Sequence, residues 1–343
     1  MPHNVLEICQ SLRSEVFTQG FLPDWLRLEG QQLHVRLPFA AKSAALELLK
    51  STPELQGYQF QVELAIATLP AKAGKIPQGS LAPPIKNVIA VASGKGGVGK
   101  SAVSLSLAAA LRAEGARVGI LDGDIYGPSL PTMFGNANEQ LTFTPNRKML
   151  PVHCWGLEGN SLGYLVDTHA AAIWRGPMAS RAVEQLFFDT QWSALDYLII
   201  DLPPGTGDIQ LTLSQNFPIT AAVVVTTPQN IALADAQKGI AMFQQVAVPV
   251  VGLIENMSYF ECSACGHQDA IFGQEGGAKL AADYSVPMVG YWPLTTALRE
   301  TLDAGQPLLQ AQPEHPLNHI IAQSAQQIVA NAWELVRNET ATS

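Results

Sequence analysis

The chain has 343 residues, enough for two domains, and hydrophobic residues make up 47% of it against 14% charged residues. This balance is typical of a compact α/β enzyme and excludes a disordered chain, a collagen-like chain or a coiled coil. The 20 Lys and Arg against 29 Asp and Glu give a net charge of −9, so general binding to nucleic-acid phosphates is not expected.

The sequence predicts a cytoplasmic protein without a membrane partner. No stretch approaches the roughly 20 consecutive apolar residues of a membrane span. The opening MPHNVLEICQSLRSE carries no basic segment followed by an apolar one. The 4 cysteines are too few for a disulfide framework, which fits a reducing compartment.

Residues 1–69 are predicted to form a small α+β domain. Apolar residues at helical spacing predict a helix over 5–16, and two alternating runs predict a hairpin around the turn at 29–31. A second helix is expected over 41–50, and a further alternating strand over 58–66.

A linker and a second domain follow. The Pro-, Gly- and Ser-rich stretch 70–86 cannot hold a regular element and is predicted to be the linker. Beyond it, residues 87–343 contain short, wholly apolar runs separated by helical segments: NVIAVAS, RVGILD, YLIID, AAVVVTT, VVGLI and PMVGYW. Such strands are buried on both faces, and their alternation with helices implies right-handed parallel βαβ units. We therefore predict a doubly wound, mostly parallel α/β sheet with a C-terminal helix docked on it.

A phosphate-binding loop is predicted between the first of these strands and the helix that follows. Residues 94–101 read GKGGVGKS and satisfy G-x-x-x-x-G-K-[ST] in its strand-loop-helix context. The backbone N–H groups of such a loop surround the β-phosphate, Lys100 adds a charge at the β- and γ-oxygens, and Ser101 offers its hydroxyl to Mg²⁺. The predicted nucleotide-binding residues of the loop are Gly94, Lys95, Gly96, Gly97, Val98, Gly99, Lys100 and Ser101. The sequence thus predicts a P-loop nucleoside triphosphatase.

Three aspartates follow two later strands. Asp122 and Asp124 come at the carboxyl end of RVGILD, and Asp201 ends YLIID. Doubly wound sheets bind their ligands at this edge. We expect Asp122 or Asp124 to orient the attacking water, and Asp201 to hold Mg²⁺ through water. Together with Lys95 and Lys100 they make up the predicted catalytic set.

Lys95 occupies the second position of the loop, where a cation has no room to fold back onto the phosphates that its own loop surrounds. The run KGGVGK resembles the signature of the deviant P-loop ATPases, the group of the Min, Par and nitrogenase iron-protein families. That resemblance implies a homodimer that closes face to face around nucleotide. Lys95 would then reach the nucleotide of the second chain, as an arginine finger does.

Cys262 and Cys265 form a C-x-x-C turn that is followed at once by Gly and His267. A structural zinc ion or a 4Fe-4S cluster normally takes four protein ligands, so one chain lacks two. Either His267 and a distant residue complete a zinc site, or two chains pool their pairs across a two-fold axis. Thioredoxin-like redox chemistry is a third reading, although this pair does not open a helix near a first strand. Cys9 and Cys154 are expected to be buried small hydrophobic residues.

Six segments resemble the Mrp/ApbC family of iron-sulfur carrier ATPases in order and spacing: GKGGVGKS, DGDIYGPSLPTMFG, IIDLPPGTGD, TTPQNIAL, ENMSYFECSACGH and IFGQEGGAKLA. The resemblance covers residues 87–335. It implies slow ATP hydrolysis with Mg²⁺, and a labile 4Fe-4S cluster shared by Cys262 and Cys265 of a homodimer. The cluster would come from an assembly scaffold and be delivered to apo-proteins. The resemblance also implies that Asn256 and the turn 227–229 contact the adenine.

Two other functions remain open from the sequence. A Min/Par-type positioning ATPase would bind DNA or a membrane through a basic surface, which the net charge of −9 disfavours. A zinc-binding NTPase metallochaperone would need more Cys and His ligands and a guanine-reading N-K-x-D, a tetrapeptide that the sequence lacks. We therefore predict an iron-sulfur carrier without a nucleic-acid partner. The small domain lacks the Cys-Pro segment of its counterparts in the family, so we expect it to serve packing or partner docking.

Overall fold

The computed structural model describes residues 5–72, 74, 83–165, 176–262 and 264–342. Within these residues, an N-terminal unit with a three-stranded sheet comes first. Its elements are α1 (Val5–Ser11), β1 (Leu26–Glu29), β2 (Gln32–Leu37), α2 (Lys42–Ser51) and β3 (Gln59–Leu64), with 3-10 turns at Pro23–Trp25 and Pro53–Leu55. β2 lies in the centre, antiparallel to β1 and parallel to β3. The predicted hairpin, second helix and third strand are confirmed.

The first helix is shorter than its apolar spacing predicts. α1 ends at Ser11, so the expectation that it continues to Val16 is wrong. The guanidinium of Arg13 donates to the carbonyls of Gln10 and Leu12, which satisfies acceptors that a longer helix would have used. The chain then turns, and Val16 is buried from a non-helical segment.

The predicted linker is attached to the large domain at both of its described ends. The strand that follows begins at Ile85, inside the predicted range 70–86. On the other side, Lys72 donates its backbone N–H to a carbonyl of the large domain. The centre of the predicted linker, residues 73 and 75–82, lies outside the described residues.

The rest of the described chain forms a nine-stranded sheet with an apolar core on each face. Its elements are β4 (Ile85–Ser93), α3 (Lys100–Ala113), β5 (Val118–Asp122), α4 (Leu130–Met133), β6 (Val152–Cys154), β7 (Leu157–Ser161), α5 (Gly176–Phe188), β8 (Leu195–Asp201), α6 (Asp208–Asn216), β9 (Ala221–Thr226), α7 (Asn230–Gln245), β10 (Val250–Glu261), β11 (Gln268–Asp269), α8 (Gly276–Tyr284), β12 (Met288–Leu294), α9 (Thr296–Asp303), α10 (Leu308–Ala311) and α11 (Leu317–Thr342). The strand order is β11-β10-β9-β4-β8-β5-β7-β6, and β12 also pairs with β10. β6 and β11 pair antiparallel at the two ends, whereas the other pairs are parallel. The predicted doubly wound α/β fold is confirmed.

The central strands are buried because their sequences are apolar on both faces. Every residue of β5, β8 and β9 is buried. Along β4 the side chains alternate, so that Val88 and Ala90 join one core while Ile89 and Val91 join the other. The carboxyl ends of β4, β5, β8 and β10 all point to one edge of the sheet, since these strands are parallel. The loops after them therefore lie at the same edge.

Two strands differ from the pattern in the sequence. β7 is buried throughout although it reads LEGNS. Its polar side chains have partners, because Glu158 accepts from the N–H of Ser193 and Asn160 donates to Thr190. β10 has 12 residues and continues past the predicted VVGLI to Glu261, where it pairs with β11 and β12.

The N-terminal unit and the large sheet share one apolar core, which includes residues of α1, β2, α3 and α11. The ring of Trp333 on α11 lies 5.1 Å from that of Trp25 and 5.7 Å from that of Phe39. α11 also packs against α3, β10 and β12, so the predicted docking of the C-terminal helix is confirmed. Neither α11 nor any other helix in the described parts of the chain is long and apolar enough to cross a membrane.

Candidate functional site

The phosphate loop joins the end of β4 to the start of α3 in the middle of the sheet. Gly97 and Gly99 both have a φ of 83°, in the left-handed region that other residues rarely adopt. Gly94 lies so close to α7 that a Cβ would come within 2.1 Å of its backbone. A Cβ on Gly96 or Gly97 would meet nothing within 4 Å, so this side of the loop faces open space. The backbone N–H groups can therefore approach an anion at the N-terminus of a 14-residue helix.

Asp201 collects the polar side chains at the start of α3. Its Oδ1 lies 2.6 Å from Lys100 Nζ and 2.8 Å from Ser104 Oγ, and its Oδ2 lies 2.5 Å from Ser101 Oγ. Lys100 is 5% exposed and Asp201 2%, so the pair is desolvated and depends on these hydrogen bonds. The structure thus brings three of the predicted residues together. Sequence reasoning missed Ser104, because its position one helical turn after Lys100 does not by itself distinguish it from other small polar residues of a helix.

The donor set around Asp201 fits Mg²⁺. The hydroxyl of Ser101 and the carboxylate of Asp201 are hard oxygen ligands, which this ion prefers. Both lie directly beside the phosphate loop, where such an ion would supply positive charge that offsets the charge of the phosphates. These two residues would therefore hold the ion, as the sequence predicts.

Asp122 is fully engaged by its own loop. Its carboxylate accepts from the N–H groups of Asp124, Ser129 and Leu130 at 3.0–3.1 Å, and from the hydroxyl of Ser161 at 3.0 Å. Burial, and repulsion by nearby Asp201, raise the pKa of Asp122, while Lys100 and the N–H donors oppose that change. In this arrangement Asp122 shapes the loop that carries Asp124.

Asp124 has an unused acceptor. Its Oδ1 is buried and has no hydrogen-bond partner among the described residues. Burial raises the pKa of Asp124. The positive charge of Lys100 lowers it, and the negative charge of Asp201 raises it further. A buried carboxylate oxygen is normally satisfied by a donor. A water molecule beside the nucleotide would supply one, so the geometry favours Asp124 over Asp122 as the residue that orients the attacking water.

Lys95 leans away from the phosphate loop toward the turn 227–229. Its ammonium lies 3.5 Å from Oε1 of Gln229, at the limit of a hydrogen bond. The same oxygen accepts from Thr227 at 3.3 Å. Lys95 is partly exposed and weakly held within its own chain. Its role in a second chain stays a prediction.

Asn256 lies directly under the phosphate loop. It is 4% exposed, and its Nδ2 donates to the carbonyl of Val98 at 2.8 Å. A Cβ on Gly99 would come within 2.3 Å of the same nitrogen. The structure therefore shows Asn256 supporting the loop, a contact that sequence reasoning did not predict, and its adenine contact stays a prediction.

The C-x-x-C pair lies in a tight hairpin at the end of β10. The N–H of Cys262 donates to His267, and the N–H of Gly266, which has a φ of 69°, donates back to Cys262. Cys265 is exposed and Cys262 partly exposed. Backbone N–H groups of Ala264 and Cys265 lower the pKa of the Cys262 thiol. The turn thus presents two thiols to solvent, and the lowered pKa of Cys262 favours its thiolate, the form that ligates metals.

The other two cysteines do not join this turn in a larger group of metal ligands. Within the described part of the chain, no group of three or more His, Cys, Asp or Glu side chains is arranged to hold a metal ion. Cys9 is fully buried, as predicted, and burial raises the pKa of its thiol to about 11. Cys154 is only partly buried, and its thiol donates to a backbone carbonyl at 3.2 Å.

Related proteins match most of this chain in sequence. The family model described as ParA, NUBPL iron-transfer P-loop NTPase, matches residues 84–329. The iron-sulfur cluster carrier protein of Haemophilus influenzae is 50% identical over 313 residues, which are 89% of this chain and 82% of that protein. The iron-sulfur cluster carrier protein of Escherichia coli K12 is 55% identical over 249 residues, 73% of this chain and 68% of that protein.

Two solved structures share the fold. A nucleotide-binding protein from Archaeoglobus fulgidus in complex with ADP is 35% identical, with a TM-score of 0.60, over 69% of this chain and 91% of that one. The cell division ATPase MinD of Pyrococcus furiosus is 21% identical, with a TM-score of 0.50, over 71% of this chain and 98% of that one. The second likeness concerns the fold alone.

Proposed function

Because the chain belongs to the family of NUBPL-type iron-transfer P-loop NTPases, we propose that it is an ATP-hydrolysing carrier of a labile 4Fe-4S cluster. One observation carries this proposal: the solvent-facing pair Cys262 and Cys265 lies at the sheet edge that also holds the phosphate loop. Thiolates at that place bind the cargo, and the loop binds the nucleotide that accompanies its transfer. We assign both activities to residues 87–343 and a packing role to residues 1–69.

The cargo site needs a second chain. One chain offers two thiolates, and the described residues supply no further cluster of ligands. A 4Fe-4S cluster takes four cysteine ligands, so two copies of Cys262 and Cys265 complete the set. A two-fold axis presents the same turn twice, which supports a homodimer. The same shortage of neighbouring ligands argues against the alternative zinc site built around His267.

The hydrolytic step uses the residues at the start of α3 and the loop after β5. Lys100 places its charge on the β- and γ-oxygens of ATP, while Ser101 and Asp201 hold the ion that, when bound, neutralises charge on the phosphates. Asp124 orients the water that attacks the γ-phosphate, using its free Oδ1. Turnover is slow and coupled to cluster transfer, from an assembly scaffold to apo-proteins in the cytoplasm. Asn256 and the turn 227–229 contact the adenine.

Metal analysis of protein purified without oxygen tests the proposal. We expect about four iron ions per dimer and visible absorption of a cluster. Cys262→Ala and Cys265→Ala should lose both, whereas Cys9→Ala and Cys154→Ala, which leave the turn intact, should keep both. Zinc at one ion per chain, or normal iron content in Cys262→Ala, would contradict the proposal.

A further inference from the structure

A single strand connects the phosphate loop to the cysteine turn. Asn256 lies in β10, and Cys262, six residues further along the chain, directly follows the end of this strand. A fully extended chain of that length would span about 20 Å, which is the upper limit of the distance between them. Only five residues of backbone therefore separate the residue that contacts the phosphate loop from the first thiol of the cysteine turn.

The loop end of the segment is held tightly. Asn256 donates to the carbonyl of Val98 at 2.8 Å, and its amide would collide with a Cβ on Gly99. Because the side chain is buried, it has no solvent into which to retreat. A shift of the loop at Val98 and Gly99 must displace Asn256 or break the hydrogen bond.

The segment is irregular immediately beyond Asn256. Its pairing with β9 ends at Glu255. From Asn256 to Phe260, four steps along β10 oppose only two steps along β12. Met257 has a φ of 55°, in the left-handed region that non-glycine residues rarely adopt. Such a bulge re-aims the chain that follows it.

Ser258, the residue after Met257, is anchored to the chain before the bulge. The buried carboxylate of Glu255 accepts from the hydroxyl of Ser258 at 2.6 Å and from the N–H of Gly277, at the start of α8, at 2.7 Å. Through Glu255, Ser258 is held in place relative to α8. If Asn256 moves, the backbone therefore rotates at Met257 and changes the direction of the hairpin that follows. The bulge and this anchor together form a hinge at Met257.

We propose that Asn256 is a positioning residue that couples the nucleotide state of the phosphate loop to the geometry of the cysteine turn through the hinge at Met257. The inference rests on the proposed function, because it concerns how ATP binding reaches the cluster ligands. Coupling of this kind is reciprocal, so a bound cluster changes nucleotide affinity by the same factor by which nucleotide changes cluster affinity.

Hydrogen exchange of the cluster-free protein tests the proposal. It is measured twice, once with saturating adenylyl imidodiphosphate and Mg²⁺ and once with saturating ADP and Mg²⁺. The probes are the amides of Cys262 and Gly266, whose hydrogen bonds close the turn. In the native chain we expect their exchange rates to differ by at least about 5-fold between the two nucleotides. Asn256→Ala should abolish that difference. Because Asn256 is also proposed to contact the adenine, the variant is measured at nucleotide concentrations that protect its phosphate-loop amides, which shows that the site is occupied.

A matched control removes the same kind of bond elsewhere on β10. Nδ2 of Asn331 donates to the carbonyl of Val251 at 2.9 Å, at the end of the strand remote from the phosphate loop. Asn331→Ala therefore weakens the attachment of β10 to a similar degree, yet the nucleotide response of the turn should persist. Loss of the response in both variants would show that general strand stability controls the turn, and would overturn the proposal.

A second variant covers the case in which Asn256→Ala does not fold. Met257→Gly keeps the hydrogen bond of Asn256 but relaxes the left-handed backbone, so the response at Cys262 should weaken while the loop amides remain protected by nucleotide. An unchanged response in Met257→Gly, or no response in the native chain, would refute the coupling. Neither result would affect the carrier function, which fails only if iron content or ATP hydrolysis is absent.

Discussion

Asp201 is the residue on which the nucleotide site depends, because three side chains of α3 donate to one buried carboxylate. The loop pattern predicted that Lys100 and Ser101 face phosphate and Mg²⁺, and the end of an apolar strand placed Asp201 at the same edge of the sheet. The direct hydrogen bonds among the three were not predicted. The contribution of Ser104 could not be separated from that of other small polar residues in a helix. Similarly, a resemblance to a known family predicted that Asn256 contacts the adenine. Its hydrogen bond to Val98 was not predicted, because that bond depends on how β10 passes under the loop.

We expect Lys100→Ala to reduce ATP hydrolysis by on the order of 10³-fold, because one charged contact to the transferred phosphate is lost. Iron binding at the cysteine turn should persist, since the two sites share no side chain. Steady-state phosphate release and iron content measure the two effects. Lys148→Ala, which removes a half-exposed pair with Asp189, is the control and should hydrolyse ATP normally. Native turnover in Lys100→Ala would show that the loop is not the hydrolytic site.

The two aspartates of the β5 loop should respond differently to substitution. Asp122→Asn replaces an oxygen that accepts from backbone N–H groups, so it should lower the free energy of unfolding by about 1–3 kcal/mol. Asp124→Asn alters an oxygen without a partner in the described residues, and should leave stability unchanged while hydrolysis is lost. Urea unfolding and phosphate release distinguish the two. A stable, inactive Asp122→Asn beside an active Asp124→Asn would reverse the assignment.

At the scale of elements, the sequence predicted most strands and helices but not how some of them end. α1 stops at Ser11 because Arg13 caps it, and β7 is a buried strand whose polar residues find distant partners. Those partners come from parts of the chain that local periodicity does not include. Wholly apolar strands such as β8 were predictable, because burial on both faces requires no partner other than a neighbouring strand.

α11 is one of the elements that join the N-terminal unit to the sheet. Trp333 packs on Trp25 and Phe39, so Trp333→Ala should lower the free energy of unfolding by up to about 3 kcal/mol, the lower end for a buried aromatic residue. Leu335→Ala on the same helix alters a side chain that is 37% exposed, and should cost much less. Urea unfolding measures both. Equal effects would mean that the contact does not stabilise the chain.

In the whole molecule, two chains must act together, because each supplies part of the cargo site. Lys95 is weakly held by Gln229, and we expect it to complete the nucleotide site of the partner chain. Mixing Lys95→Ala chains with Asp124→Asn chains should restore about a quarter of native activity, because half of randomly paired dimers are mixed and each has one complete site. Phosphate release from mixtures of known composition measures this. No recovery, despite proven mixed dimers, would leave Lys95 as an ordinary loop cation.

Transfer of a cluster to an apo-protein is the decisive measurement of the carrier function. Native protein is loaded with iron and sulfide without oxygen, separated from free ions, and mixed with an apo-enzyme whose activity returns when a 4Fe-4S cluster is inserted. With Mg²⁺ and ATP, we expect the acceptor to be reactivated at one cluster per carrier dimer in the presence of an iron chelator, and Cys262→Ala to give no reactivation. If the loaded native protein fails to reactivate an acceptor that free iron and sulfide do restore, the carrier function is contradicted.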